Sequence, residues 1–268
     1  MKIFKNIVVV LIVLALIGVL AFLGYGIFNH YFKNDPNPVA KIEIENYGTV
    51  ELELYPEYAP NTVANFIKLA ESGFYTGKVV YGKDGLCLYV GRDANGEVPV
   101  PTASMIDKNI KVDDTNDIRY QIPGEFVANG FEQNTLRHEK GVISMIRYDY
   151  TQQIPNLINE SYNSANGQIG IMIDNARDLN GLYAGFARIT KGLEIIEKIV
   201  KESAIVEKTD ENADSGIDEF QAKPVIKSVT VDTFGKDYGV PKYEEYFDYQ
   251  SYLTDMLSQY YSTQTNVE

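Results

Sequence analysis

The sequence contains no tryptophan, a single cysteine, Cys87, and only two histidines, His30 and His138. One cysteine cannot form an internal disulfide, so the fold must be held by its core in whatever compartment it occupies. Two distant histidines and one cysteine make no metal-ligand cluster. Cys87 has no histidine near it in sequence to activate it as a nucleophile. Positive charge is in deficit as well: the formal net charge is −13. That excludes nucleic acid as an expected partner, because phosphate binding needs a basic face. The acidic groups Asp113–Asp117 and Glu207–Asp214 lack the ligand spacing of a calcium loop and read as solvated faces.

Charge is missing altogether from Ile7 to Phe28, which reads IVVVLIVLALIGVLAFLGYGIF. As a helix these residues span about 33 Å, enough for a hydrocarbon core of about 30 Å. An uncleaved transmembrane anchor is therefore expected within residues 1–30, followed by a linker over 31–38. A cleaved signal peptide is the rival reading. Its apolar core is usually about 7–15 residues and ends in a small-x-small site, whereas this run is longer and Leu23-Gly24-Tyr25-Gly26 matches poorly. Lys2 and Lys5 precede the run, and His30, Lys33 and Lys41 follow it, a slight lean in charge. The functional domain follows the anchor and is expected outside the cytoplasm, with the bilayer as partner through residues 7–28.

Polar and apolar residues then alternate. Ile42 and Ile44, and Val50, Leu52 and Leu54, predict a hairpin turning at Asn46-Tyr47-Gly48. Pro60 suits a helical first turn, with Val63, Phe66, Ile67 and Ala70 on one face and Gly73 as the stop. Strands are expected near 79–90, 141–146, 170–173, 185–189 and 225–234. Thr190 is the expected cap of a helix running to Glu202. After Pro241, residues Tyr249, Leu253, Met256 and Tyr260 share one helical face. About eight strands with few helices favour a closed antiparallel barrel.

Three segments sharpen this reading: Ala59-Pro60-Asn61-Thr62-Val63-Ala64-Asn65-Phe66, Gly141-Val142-Ile143-Ser144-Met145, and Leu179-Asn180-Gly181-Leu182-Tyr183-Ala184-Gly185-Phe186. In this order and spacing the chain resembles the cyclophilin family of peptidyl-prolyl isomerases over residues 39–235. The resemblance implies a mainly β fold, an eight-stranded antiparallel closed barrel capped by two helices, with a peptide groove on one outer face. It does not cover the N-terminal anchor or the C-terminal helical extension, 236–268. It implies proline-containing segments of unfolded or secreted proteins as partners, and no cofactor or metal.

Rotation about an X-Pro bond is opposed by amide resonance, a barrier of about 18–20 kcal/mol. No proton transfer or nucleophile is needed to lower it. An apolar pocket must grip the ring, and donors must favour the twisted bond over the planar one. The family's central stretch F-H-R-V-I-P-G-F-M-I-Q-G-G-D, aligned without gaps, meets Val80 to Asp93. Gly82 then stands at the arginine that donates toward the prolyl nitrogen, and Tyr81 at the histidine. Cys87, Leu88 and Val90 stand at the groove-lining phenylalanine, methionine and glutamine. The family's S-Q-F-F-I is Gly167-Gln168-Ile169-Gly170-Ile171, which keeps Gln168 and replaces an aromatic wall by Gly170.

Gln168 and Arg147 are therefore the expected catalytic residues. Arg147 follows the Ser144-Met145-Ile146 strand and could supply the missing donor; Arg92 is a weaker candidate. The expected groove is Tyr81, Gly82, Cys87, Leu88, Val90, Met145, Gly170, Leu179 and Tyr183. His138 is expected to be structural. The reading is a membrane-tethered isomerase assisting extracytoplasmic folding, its catalysis weakened or altered at Gly82. The alternative is a non-catalytic peptide-binding module on the same fold.

Overall fold

The computed structural model describes residues 7, 11–24, 35–110, 112, 117–209 and 216–265. The chain divides into two compact units, Met1–Pro36 and Asn37–Glu268. In the first, residues 11–24 form helix α1, which leaves Leu11, Leu14, Leu20 and Phe22 exposed. Among the described residues no helix is long and apolar enough to cross a membrane. Residues 8–10 and 25–28 of the expected anchor lie outside the described residues.

The second unit is built on a curled antiparallel sheet. Its strands are β1 (Val39–Ile44), β2 (Gly48–Leu54), β3 (Val79–Lys83), β4 (Cys87–Arg92), β6 (Val142–Met145), β7 (Ile169–Met172), β8 (Ala184–Lys191), β9 (Asp218–Glu219) and β10 (Ile226–Asp232). They lie in the order β10-β1-β2-β8-β6-β7-β4-β3-β9. The sheet is curled and has nine strands where eight were expected. The two sides meet at a short seam, where the Val79↔Val225 bridge is flanked by Ile226 N–H donating to the Lys78 carbonyl at 2.7 Å. β9 forms just after the acidic group Glu207–Asp214; residues 210–215 lie outside the described residues.

The hairpin follows from its pattern. Ile42, Ile44, Val50, Leu52 and Leu54 all point into the core, and Ile44 pairs with Gly48 across the turn. Helix α2 (Pro60–Glu71) covers the sheet with the expected face, as Val63, Phe66, Ile67 and Ala70 are buried. Phe66 packs its ring against Tyr75 and Phe186 at 5.2 and 5.3 Å. Pro60 needs no partner at its nitrogen, and the next two N–H groups are capped from afar. Glu125 accepts from Asn61 N at 2.9 Å, from Thr62 N at 2.7 Å and from Thr62 Oγ1 at 2.8 Å.

Helix α5 (Leu193–Glu202) is not capped by Thr190. β8 continues through Lys191, the Thr190 hydroxyl donates to the Glu51 carbonyl at 3.2 Å, and Gly192, at φ 86°, begins the helix. Short helices α3 (Ala103–Ile106) and α4 (Ile158–Tyr162) lie in the connections. After Gly235 the chain stays on the domain. β11 (Glu244–Glu245) pairs with β5 (Tyr120–Gln121). Asn61 clasps the Lys242 backbone, donating to its carbonyl at 3.0 Å and accepting from its N–H at 2.6 Å. Helix α6 (Tyr249–Thr265) starts with Tyr249 stacked on Tyr150 at 4.8 Å. Of its expected face, Tyr249 and Leu253 are half-buried, whereas Met256 and Tyr260 are exposed.

Candidate active site

The β3–β4 hairpin forms one wall of a cavity of about 420 Å³ on the outer face of the sheet. Its turn is an Asx turn: Asp84 Oδ1 accepts from the N–H groups of Leu86 and Cys87, each at 2.7 Å, and Oδ2 accepts from the Tyr89 hydroxyl at 2.7 Å. Strand alternation sends Leu88 and Val90 into the core and leaves Cys87 and Tyr89 on the cavity side. Two register shifts then alter what the hairpin presents. Val80 faces Val90 while Gly82 faces Tyr89, so Tyr81 is an extra residue on β3; Val79 faces Arg92, so Gly91 is an extra residue on β4. Bulges of this kind re-aim side chains. Here Tyr81 and Arg92 both line the cavity, and the Arg92 guanidinium lies 4.1 Å from the Tyr81 ring centroid.

The opposite wall comes from β6, β7 and the segments after them. Gln168 is buried and bridges two phenols: its Oε1 accepts from the Tyr81 hydroxyl at 3.2 Å, and its Nε2 donates to the Tyr148 hydroxyl at 3.0 Å. Burial pushes the Tyr81 phenol up, and burial followed by Tyr246 pushes the Tyr148 phenol up to about 12, so both stay neutral at physiological pH. Arg147 sits at the rim. Its Nε donates to the Leu182 carbonyl at 3.1 Å, and its guanidinium lies 4.6 Å from the Tyr183 ring and 5.1 Å from that of Tyr162. Leu179 and Tyr183 complete this side.

Gly170 lies beneath the floor. A Cβ there would fall 2.5 Å from Cys87 Sγ and 2.8 Å from Ile146 Cδ1, so these two side chains occupy the space an aromatic wall would need. Burial, then the Asp84 charge, pushes the Cys87 thiol up, which leaves it an uncharged apolar surface and not a nucleophile.

The structure thus brings Tyr81, Cys87, Arg147, Gln168, Leu179 and Tyr183 together and corrects five expected groove residues, Gly170 beneath the floor being one of them. Leu88, Val90 and Met145 belong to the core; strand parity turns them away from the cavity. Gly82 does not reach it either, because a Cβ there would meet the Asp218 carbonyl at 2.7 Å where β9 crosses. Tyr81, not Gly82, is the residue β3 presents. The ungapped alignment missed Tyr89, Ile146 and Tyr148, which also line the cavity. Gly91, at φ 118°, was the available signal that β4 is bulged and that Arg92 changes face.

His138 is buried, with Nε2 3.1 Å from Ser144 Oγ and Nδ1 3.2 Å from Asn180 Oδ1. Asn180 Oδ1 is an acceptor, so Nδ1 carries the hydrogen and Nε2 accepts from Ser144. This ties β6 to the turn after β7. Among the described residues no group of three or more His, Cys, Asp or Glu side chains is placed to hold a metal. Asp117, from the first acidic group, accepts from the Ser104 N–H and hydroxyl at 2.9 and 2.7 Å.

Residues 39–231 match the family model described as cyclophilin type peptidyl-prolyl cis-trans isomerase. Peptidyl-prolyl cis-trans isomerase CYP23 of Arabidopsis thaliana is 30% identical over 155 residues, 58% of this chain and 57% of the relative. Peptidyl-prolyl cis-trans isomerase B of Bacillus subtilis is 28% identical over 156 residues, 58% of this chain and 86% of the relative. The chain thus spans little more than half of the plant relative and most of the bacterial one. Among solved structures, a cyclophilin type isomerase of Cryptosporidium parvum, in the presence of the dipeptide Ala-Pro, superposes with a TM-score of 0.52 at 17% identity. That likeness covers 73% of this chain and 99% of the other and concerns the fold.

Proposed function

The chain belongs to the cyclophilin-type peptidyl-prolyl cis-trans isomerase family, and from that premise we propose that it turns over X-Pro bonds of unfolded extracytoplasmic chains while tethered to a membrane by residues 7–28. The observation that carries the isomerase reading is the cavity on the outer face of the sheet, with apolar surface from Cys87, Leu179 and Tyr183 and a fixed amide at Gln168. An apolar recess with few convergent polar groups suits a proline ring and its flanking amides. Gln168 holds the peptide backbone through its second amide hydrogen, and Arg147 lines the rim where the peptide enters. The floor differs from the family pattern, with Cys87 and Ile146 in place of an aromatic wall, and this favours weakened or altered catalysis.

A proline-peptide isomerisation assay on the full chain in detergent tests the activity. Turnover above the uncatalysed rate, reduced by Gln168→Ala, is the expected result; background rates across varied X-Pro peptides would sink it. The second reading, a peptide-binding module without catalysis, is favoured by the same filled floor. It requires peptide binding at the cavity with background turnover. The tether is supported by the uncharged run Ile7 to Phe28 and by the exposed apolar side chains of α1. The full chain should stay with membranes through alkaline carbonate extraction, and a chain lacking residues 7–28 should not. Protease added to intact cells should digest the soluble domain if it faces outward.

A further inference from the structure

Twisting an X-Pro bond ends the amide resonance and leaves a lone pair on the prolyl nitrogen. A fixed donor aimed there stabilises the twisted bond and not the planar one. Eight side chains with N–H or O–H donors line the cavity: Tyr81, Tyr89, Arg92, Ser144, Arg147, Tyr148, Gln168 and Tyr183. Tyr89 donates to Asp84 at 2.7 Å, and Ser144 is paired with His138 at 3.1 Å. Tyr81 spends its hydrogen on Gln168, and Gln168 spends one of its own on Tyr148. Arg147 directs Nε at the Leu182 carbonyl and Nη1 toward the Tyr148 carbonyl, within a cage of aromatic rings.

Arg92 is held differently. Its guanidinium carbon lies over the Tyr81 ring, 4.1 Å from the centroid, and one end is fixed by Nη1 donating to Glu219 Oε1 at 3.0 Å. Lys223 holds the other Glu219 oxygen at 3.2 Å. The Arg92 Nε is buried with no hydrogen-bond partner. Unpaired buried donors are costly to keep and mark places where a partner arrives. A guanidinium also stays protonated and donates without giving up its proton, and charge-assisted donors are the strong ones.

We propose that Arg92, carried to the cavity by the Gly91 bulge and braced between Tyr81 and Glu219, is the catalytic donor to the twisting prolyl amide. The inference rests on the isomerase reading and adds the residue that makes the pocket catalytic. In it the donor enters from β4 and reaches the cavity across the Tyr81 ring. No bond other than the rotating one changes, and no proton is transferred.

The test uses the full chain and a chromogenic Ala-Pro peptide. Arg92→Ala should lower kcat by about 100-fold or more with KM changed less than about threefold. Millimolar guanidinium should restore turnover to Arg92→Ala, a rescue that a purely structural role would not show. Arg92→Lys, which keeps charge without the fork, should recover only part of the rate. Should Arg92→Ala fail to fold, the Arg92 Nε–H signal of the wild type serves instead. It should shift by NMR when the peptide is added; no shift would overturn the assignment. Wild-type turnover with Arg92→Ala unaffected, or a loss that follows Tyr148→Phe alone, would overturn the assignment and leave the isomerase reading standing. Wild-type turnover at background would overturn both.

Discussion

The guanidinium of Arg92 lies 4.1 Å from the Tyr81 ring centroid, although the two residues come from adjacent strands whose regular alternation would not bring them to one face. Each is there because the β3–β4 ladder shifts once on its own strand. Gly91 makes the second shift possible at φ 118°. A Cβ at that position would also lie 3.1 Å from the Gln168 Cα. Gly91→Ala is therefore expected to cost about 1–3 kcal/mol of stability through backbone strain. It should also lower turnover beyond the loss of folded protein, because Arg92 leaves its platform. Urea unfolding and activity per folded molecule measure the two effects separately.

Glu125 caps α2 from a distant loop and is buried while doing so. Glu125→Ala leaves the Asn61 and Thr62 donors without their acceptor. The expected cost is about 1–3 kcal/mol, read as a lower midpoint with unchanged slope in denaturant. A change within experimental error would show that water replaces the carboxylate at no loss.

Gly170 and Cys87 share one space. Gly170→Ala should destabilise the domain by about 1–3 kcal/mol, because the new Cβ overpacks against Sγ and Ile146. In Cys87→Ala the sulfur is gone, and adding Gly170→Ala should cost much less. A double-mutant cycle measures the coupling; additive costs would mean that the floor rearranges independently of Cys87.

Burial lowers the pKa of His138, with Asn180 acting in the opposite direction through its hydrogen bond. Above the unfolded value of about 6.5 the imidazole is neutral in both states. As pH falls below it, the unfolded chain takes the proton first. Stability should then fall by up to about 1.4 kcal/mol per pH unit until the lowered folded value is reached. His138→Gln should flatten the pH dependence of unfolding in that window, whatever its effect at neutral pH. An unaltered slope would assign the acid sensitivity to other groups.

Much of the fold was legible because local pattern and core burial agree. The alternation of Ile42, Ile44, Val50, Leu52 and Leu54, the helical face of Val63, Phe66, Ile67 and Ala70, and the first-turn Pro60 each had one face to bury. Thr190 misled because its hydroxyl found the Glu51 carbonyl, a partner on a neighbouring strand. Glu125 was invisible as a cap because it lies more than sixty positions from the helix it serves. The tail after Gly235 showed its helix, but not that β11 pairs with β5 or that Tyr249 stacks on Tyr150.

The cavity divides along the same line. The sequence by itself determined the family, and it pointed to Tyr81, Cys87, Arg147, Gln168, Leu179 and Tyr183 as neighbours of one groove. Only the tertiary structure decided that Leu88, Val90 and Met145 face the core, that β9 covers Gly82, and that Arg92 joins Tyr81. The physical reason is the period of a strand. One extra residue reverses every side chain beyond it, and whether a strand carries that residue is settled by the partner it pairs with.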